Sequence, residues 1–313
     1  MIDFSHLISD KWVDCIDALY PSLKKEMQGT DGFVRRVKAS SEPARKSEIQ
    51  LEMDKFISLN DLSDLDDQID ELARAFLRIN NKYSSVVYYD HLAKLDDGLL
   101  NAGKPTIAAV AEHLLSSEAS PVAKDRLKSL VARVVNESLS QANKSNAGEA
   151  GENIARAILS AAGLMKDEHY REQYKSKSGS DTDFVFPCVP DQQDQKVELF
   201  MAVQMSSNDR TRLTSSELKI GGKPFVFTGN GLTASKKKLK DIGAQIVESQ
   251  KSNKVNLICF RSEIEREKER LRSAAEEVRN ANKRTELLDR LNYFEDYTWT
   301  ISEFAEHVKK RFA

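Results

Sequence analysis

The apolar residues of this chain change their period near residue 180. Up to about residue 140 they recur every three or four positions. Ile69, Leu72, Ala73, Phe76 and Leu77 follow the acidic run Asp64-Leu65-Asp66-Asp67, and Leu127, Leu130, Val131, Val134 and Val135 follow Pro121. Such spacing lays an apolar stripe along a helix; acidic residues complement the positive end of the helix dipole, and proline fits a first turn. Beyond residue 180 the apolar runs are short and strand-like. Phe184-Val185-Phe186 stops at Pro187, Phe225-Val226-Phe227-Thr228 follows Pro224, and Leu257-Ile258-Cys259-Phe260 closes a run over 255–260. Over 197–205 the odd positions Val197, Leu199, Met201, Val203 and Met205 are all apolar, and the even positions are Glu198, Phe200, Ala202 and Gln204. A strand apolar on nearly both faces belongs inside a sheet covered by helices. Glu198 and Gln204 on that strand need partners, since an unpaired buried polar group costs about 1–3 kcal/mol.

Helical patterns separate these strands at 152–162 and 234–246, and follow them at 262–291, a highly charged stretch, and 299–312. Strands alternating with helices predict an α/β fold, a mixed central β-sheet flanked by helices, with a helical N-terminal region and C-terminal helices. The expected segments are 1–140, 141–262 and 263–313, the first two joined by a small, polar linker over 141–151. A turn over 101–106 leads into a short helix over 107–115. With the helix after it, this pair has the order of a helix-turn-helix DNA reader, but no basic recognition face stands out and an ordinary hairpin is the better reading.

Charge and composition narrow the chemistry. The 313 residues carry 47 basic and 49 acidic side chains, a net charge of -2, so any nucleic-acid contact must come from local rather than global charge. Cys15, Cys188 and Cys259 have no zinc spacing and point to a reducing cytoplasm. The five histidines are scattered, and no phosphate-binding glycine loop occurs. The acidic, interrupted start is unlike a signal peptide, and no apolar run approaches the ~20 residues that cross a bilayer, so the expectation is a cytoplasmic protein without a membrane partner.

The region 178–212 holds the candidate chemistry. Asp181 and Asp183 open one strand, the second strand follows, and Ser207, Asn208, Arg210, Arg212 and Lys219 come after it as donors for phosphates and base edges. Glu152 stands at the edge of an apolar helical face, with Ala155 and Leu159 on its stripe beside Ile154 and Ile158. Its bland reading is a dipole-complementing residue near a helix start. Carboxylates at a strand end suit one or two Mg²⁺ ions, which keep most of their waters and activate one for attack on a phosphodiester. Asp181 is the rival of Asp183 for this role.

These residues resemble the PD-(D/E)XK nuclease superfamily, and within it the type II restriction endonucleases, over roughly 148–260. Glu152 is similar to the family's helix Glu, Asp183 to its strand Asp, and Ala202-Val203-Gln204 to its (D/E)-x-K tripeptide after eighteen intervening residues. Gln204 replaces the usual Lys; some restriction enzymes carry Gln there, where it orients the attacking water. Ala202 replaces a carboxylate. Either Glu198 supplies the missing oxygen, or the site is inactive, or Ala202 substitutes for Glu in a Glu-Val-Gln sequence; the surrounding match favours the last. A literal match, Glu217-Leu218-Lys219, lies in polar surroundings and is the weaker candidate.

The resemblance implies a restriction-endonuclease-like core, Asp183 and Glu152 as Mg²⁺ ligands with Glu198 as a third candidate, and Gln204 as the water-positioning group. It also implies cleavage of double-stranded DNA by a homodimer, beside a DNA methyltransferase that protects host DNA. The alternative is a phosphopeptide-binding module, because 223–260 also looks like the opening half of a BRCT domain, with Trp299 as its buried tryptophan.

Overall fold

The computed structural model describes residues 20–26, 33–57, 62–96, 121–204, 220–228 and 255–313. Three helices come first: α1 (Phe33–Ile57), α2 (Leu65–Asp96) and α3 (Pro121–Ala161). Six strands follow, β1 (Arg171–Lys175), β2 (Asp181–Phe186), β3 (Leu199–Gln204), β4 (Lys223–Thr228), β5 (Asn256–Ile258) and β6 (Thr298–Trp299). Helices α4 (Arg261–Glu277) and α5 (Ala281–Tyr297) precede β6, and α6 (Ile301–Phe312) ends the chain.

Two compact units divide these elements, Met1–Leu51 with Phe76–Asn146 and Glu52–Ala75 with Ala147–Ala313. The first is helical. Its core holds Leu23, Ile49, Phe76, Ile79, Leu130, Val131, Val134 and Val135. Arg45 is almost wholly buried there and fully engaged, since Nε and Nη2 donate to Glu42 at 3.1 and 2.6 Å and Nη1 donates to Asn80 Oδ1 at 3.0 Å. Of the stripe expected on α2, Ile69, Leu72 and Phe76 are buried, Ala73 is half-buried, and Leu77 is exposed, because it falls off the face on which the others repeat.

The linker expected over 141–151 is instead continuous helix within α3. Alanine, glutamine, lysine and glutamate in this stretch are good helix formers, and Ala150, Ile154, Ala157 and Ile158 are buried, which offsets the roughly 1 kcal/mol that each glycine costs. The change of composition marks the boundary between the two units, at Asn146, rather than a break in the helix.

The second unit carries one six-stranded sheet in the order β1-β2-β3-β4-β5-β6. β1, β2 and β3 are antiparallel neighbours, and β3 to β6 run parallel, so the sheet is mixed. Both faces of β3 are buried, as its unbroken apolar pattern requires. On one face Phe200, Ala202, Val226 and Leu257 pack with Ile264 of α4 and Phe294 of α5. On the other, Phe225 meets Trp299 and Phe304 of α6 at ring distances of 5.6 and 5.2 Å, and Phe186 meets Phe312 at 5.3 Å. Phe225 and Val226 are consecutive on a strand and point to opposite faces, so the helices flank the sheet on both sides.

Several boundaries differ from expectation. The charged helix over 262–291 is two helices, because Asn280 caps the second by accepting Lys283 N–H at 3.1 Å. The helix expected from Trp299 begins at Ile301, where Thr300 and Glu303 form a capping box and release Thr298-Trp299 to pair with β5. β1 was not foreseen. The helix over 107–115 and that over 234–246 lie outside the described residues.

Asp66, in the first turn of α2, ties the unit together. Its carboxylate accepts Ile301 N–H at 2.9 Å, Ser302 N–H at 3.4 Å, the Ser302 hydroxyl, and Arg261 Nη2 at 2.7 Å. It thus caps α6 from a helix more than two hundred residues earlier. Replacing Asp66 with Ala is expected to lower stability by about 1.5–3 kcal/mol, the worth of charge-assisted bonds, read as a lower urea midpoint. At Gly222 a Cβ would meet Leu199 N at 2.8 Å and the Glu198 carbonyl carbon at 2.9 Å. Gly222→Ala is expected to cost about 1–3 kcal/mol in the same assay.

Candidate functional site

The candidate site lies where β2 parts from β3. The paired positions end at Phe184↔Met201, and Asp183 is the next residue of β2. Its carboxylate Oδ2 accepts the Val203 N–H at 2.6 Å. The side chain thereby takes over a ladder position that a backbone carbonyl of β2 would fill in a longer pairing. Asp183 is therefore beside the tripeptide Ala202-Val203-Gln204, as the spacing of the two strands led us to expect. Asp181, its rival, is exposed at the start of β2.

Gln204 ends β3, level with Thr228 on β4. Its Oε1 is buried and has no hydrogen-bond partner among the described residues. The Thr182 hydroxyl, beside Asp183 in sequence, is in the same condition. Ala202 is buried among Phe200, Val185 and Val226 and offers no donor atom.

Glu152 reaches this part of the sheet through a clamp. Arg156, one turn further along α3, donates from Nη2 to Glu152 Oε2 at 3.1 Å. The same guanidinium grips Glu172 of β1 with two bonds, Nε to Oε1 at 2.9 Å and Nη2 to Oε2 at 3.1 Å, and its Nη1 reaches Asn153 Oδ1 at 2.7 Å. Lys166 adds a third cationic bond to Glu172, at 3.1 Å. Glu172 is paired with Phe184, the neighbour of Asp183. Glu152 is engaged in an ion pair with Arg156, and the clamp meets β2 at Phe184 rather than at Asp183 itself.

Glu198 lies at the other end of β3. Its Oε2 accepts Arg311 Nε at 3.0 Å and Nη2 at 2.8 Å. Continuing β3 by six residues at about 3.3 Å each separates it from Gln204 by roughly 20 Å. Glu198 is therefore not brought to the tripeptide, and the sequence-based expectation that it supplies the oxygen missing at Ala202 finds no geometric support.

The donor set can be tested directly for Mg²⁺. Asp183 and Gln204 offer oxygens, Ala202 offers none, and Glu152 and Glu198 are held by arginines. Among the described residues no three acidic, histidine or cysteine side chains converge as a cation site. The described side chains do not by themselves complete a Mg²⁺ site. Ser207, Asn208, Arg210, Arg212 and Lys219, together with Glu217, lie outside the described residues.

Three features here escaped the sequence. Glu172 and Arg156 are ordinary charged residues until β1 brings them together. Gln173, between them and Tyr174, adopts φ 50°, a left-handed conformation that costs a non-glycine residue about 1–3 kcal/mol. Tyr174 donates its hydroxyl to Asp194 Oδ1 at 2.7 Å, fixing the 187–198 excursion against β1. The Cys259 thiol, which shares a 3.2 Å contact with the Thr228 hydroxyl, is pushed up to about 12 by burial and is not a nucleophile at neutral pH.

The clamp has a pH signature. Burial raises the Glu172 carboxyl, but the hydrogen bonds and charges of Arg156 and Lys166 outweigh it and leave the group below its ordinary range. A carboxyl depressed in the folded state stabilises the fold above its unfolded pKa of about 4.3, and that contribution is lost as pH falls through the folded value. Melting temperature measured from pH 6 to pH 3 is expected to fall less steeply in Glu172→Gln than in the parent chain, with the Gln form already less stable at pH 6.

Compared with protein-family models, curated proteins and solved structures, the chain matches none.

Proposed function

We propose that this chain has the framework of a sequence-specific double-stranded DNA endonuclease of the type II restriction kind, in which Ala202 stands at a metal-ligand position. One observation carries the reading: the Asp183 carboxylate rests on the backbone of the Ala202-Val203-Gln204 tripeptide, across two adjoining antiparallel strands. An acid on one strand and a tripeptide on the next become a site only when the strands are neighbours in this register. Gln204 Oε1, without a partner among the described residues, supports it, since a buried amide oxygen at a strand end is suited to accept a hydrogen from an attacking water.

The proposed roles are those that the resemblance implies. Asp183, oriented by Val203 N–H, is the carboxylate of the site, and Gln204 positions water. Glu152, if freed from Arg156, is a further acidic group, and Ser207, Asn208, Arg210, Arg212 and Lys219 contact DNA. Mg²⁺ would supply charge neutralisation and water activation when bound, and the described side chains alone leave that site incomplete. Cutting both strands of a palindromic site needs two copies, so a twofold homodimer and a protecting DNA methyltransferase belong to the same reading.

The alternative phosphopeptide module is less favoured. β4 and β5 do not stand apart: they continue the sheet begun by β1 to β3.

Incubation of duplex phage DNA with Mg²⁺ tests the proposal, using this chain and Ala202→Glu. Discrete fragments are expected from the Glu form alone, and their loss in Ala202→Glu with Asp183→Asn. A second readout is independent of turnover. A carboxylate at buried position 202 is costly unless a cation accompanies it, so Mg²⁺ is expected to raise the melting temperature of Ala202→Glu and not of the parent. No fragments and no Mg²⁺-dependent stabilisation in the Glu form would remove the nuclease reading.

A further inference from the structure

A second group of side chains lies at the opposite end of β3 and β4 from Gln204 and Thr228. Lys223 opens β4 in register with Leu199, the first residue of β3. Its Nζ stands 4.8 Å from the ring centre of Trp299 and 5.1 Å from that of Phe225. The His307 ring of α6 packs on the same two aromatics, at 5.1 and 6.2 Å. Arg311, one turn further along α6, completes the group and is the residue that grips Glu198.

The charges do not balance. Lys223 makes no ion pair among the described residues, and burial followed by the nearby Arg311 charge lowers its affinity for a proton. Burial, then Lys223, then Arg311 likewise depress the His307 imidazole. His307 Nε2 is buried with no hydrogen-bond partner among the described residues. Stacking on Trp299 accounts for Lys223 taken singly. It does not account for a buried ring nitrogen left without a partner among the described residues. Glu198 borders the group, and both of its bonds go to Arg311.

We propose that Lys223, His307 and Arg311, floored by Trp299, form a seat for a tetrahedral oxyanion of the phosphate class. An anion there would offset the Lys223 charge that Glu198 does not, accept from Lys223 and from the His307 nitrogen that lacks a partner among the described residues, and share Arg311 with Glu198. The chemistry is common to a free phosphate and to a phosphate of a nucleic-acid backbone. The seat stands apart from the Asp183 site and does not depend on the endonuclease reading.

The test follows the His307 imidazole by NMR through a pH titration of the full chain, identified with His307→Gln. Spectra are compared in chloride, in inorganic phosphate and with duplex DNA at matched ionic strength. An anion accepting from the ring favours its protonated form, so the midpoint is expected to rise by about one pH unit or more in phosphate. Lys223→Met is expected to remove the phosphate-dependent rise and Lys223→Arg to retain it. A rise with duplex DNA and none with inorganic phosphate would assign the seat to a backbone phosphate. An unchanged midpoint with both, or a rise that persists in Lys223→Met, would overturn the proposal.

Discussion

The sheet-bearing unit depends on burying β3 on both faces. Leu199, Phe200, Met201 and Ala202 are all inaccessible, and a strand in that condition needs a neighbour on each edge and a helical layer above and below. β2 and β4 occupy its edges, α4 and α5 cover one face, and α6 covers the other. Polar residues are then tolerated only at its two ends. Glu198 and Gln204 stand there, and their surroundings differ in kind: Glu198 is satisfied by an arginine, whereas the Gln204 oxygen lacks a partner among the described residues.

The parting of β2 from β3 turns a structural end into a candidate site. Once the two strands diverge, the Val203 N–H needs an acceptor, and Asp183 supplies one from its side chain. The carboxylate is oriented by a backbone bond rather than by a flexible partner, so its position follows from the sheet. Glu152 contrasts with it. Arg156 is bound twice by Glu172, and Glu152 takes what remains of that guanidinium. The same clamp joins the end of α3 to β1, so Arg156 and Glu172 have a structural role whatever chemistry the site performs.

The second cationic group shows the same logic with opposite sign. α6 is amphipathic, and its buried stripe of Ile301, Phe304, Ala305 and Val308 fixes the helix on the sheet. That docking brings His307 and Arg311 to Lys223 and Trp299, residues remote from α6 or placed just before it in sequence. Their mutual repulsion is a consequence of packing, and it is partly relieved by Glu198. Apolar burial sets the geometry, and the charged groups at its margin acquire the unusual environments.

The period of apolar residues determined much of this fold. The switch from helical to strand spacing, the interior position of β3, and the adjacency of Asp183 to the 202–204 tripeptide were legible because each rests on local alternation and on short separations along the chain. The break at Asn280 and the capping box at Thr300 also carried local signals, though weaker than the charge pattern around them. Only the tertiary structure decided the rest. β1 is mostly polar and becomes a strand by pairing with β2; the glycine- and asparagine-containing stretch in α3 stays helical because its neighbours are buried. The engagement of Glu152 by Arg156, of Glu198 by Arg311, and of α6 by Asp66 joins residues that no spacing rule connects. Periodicity reports which face of an element meets the core, whereas the partner of a charged side chain depends on which elements the core brings together.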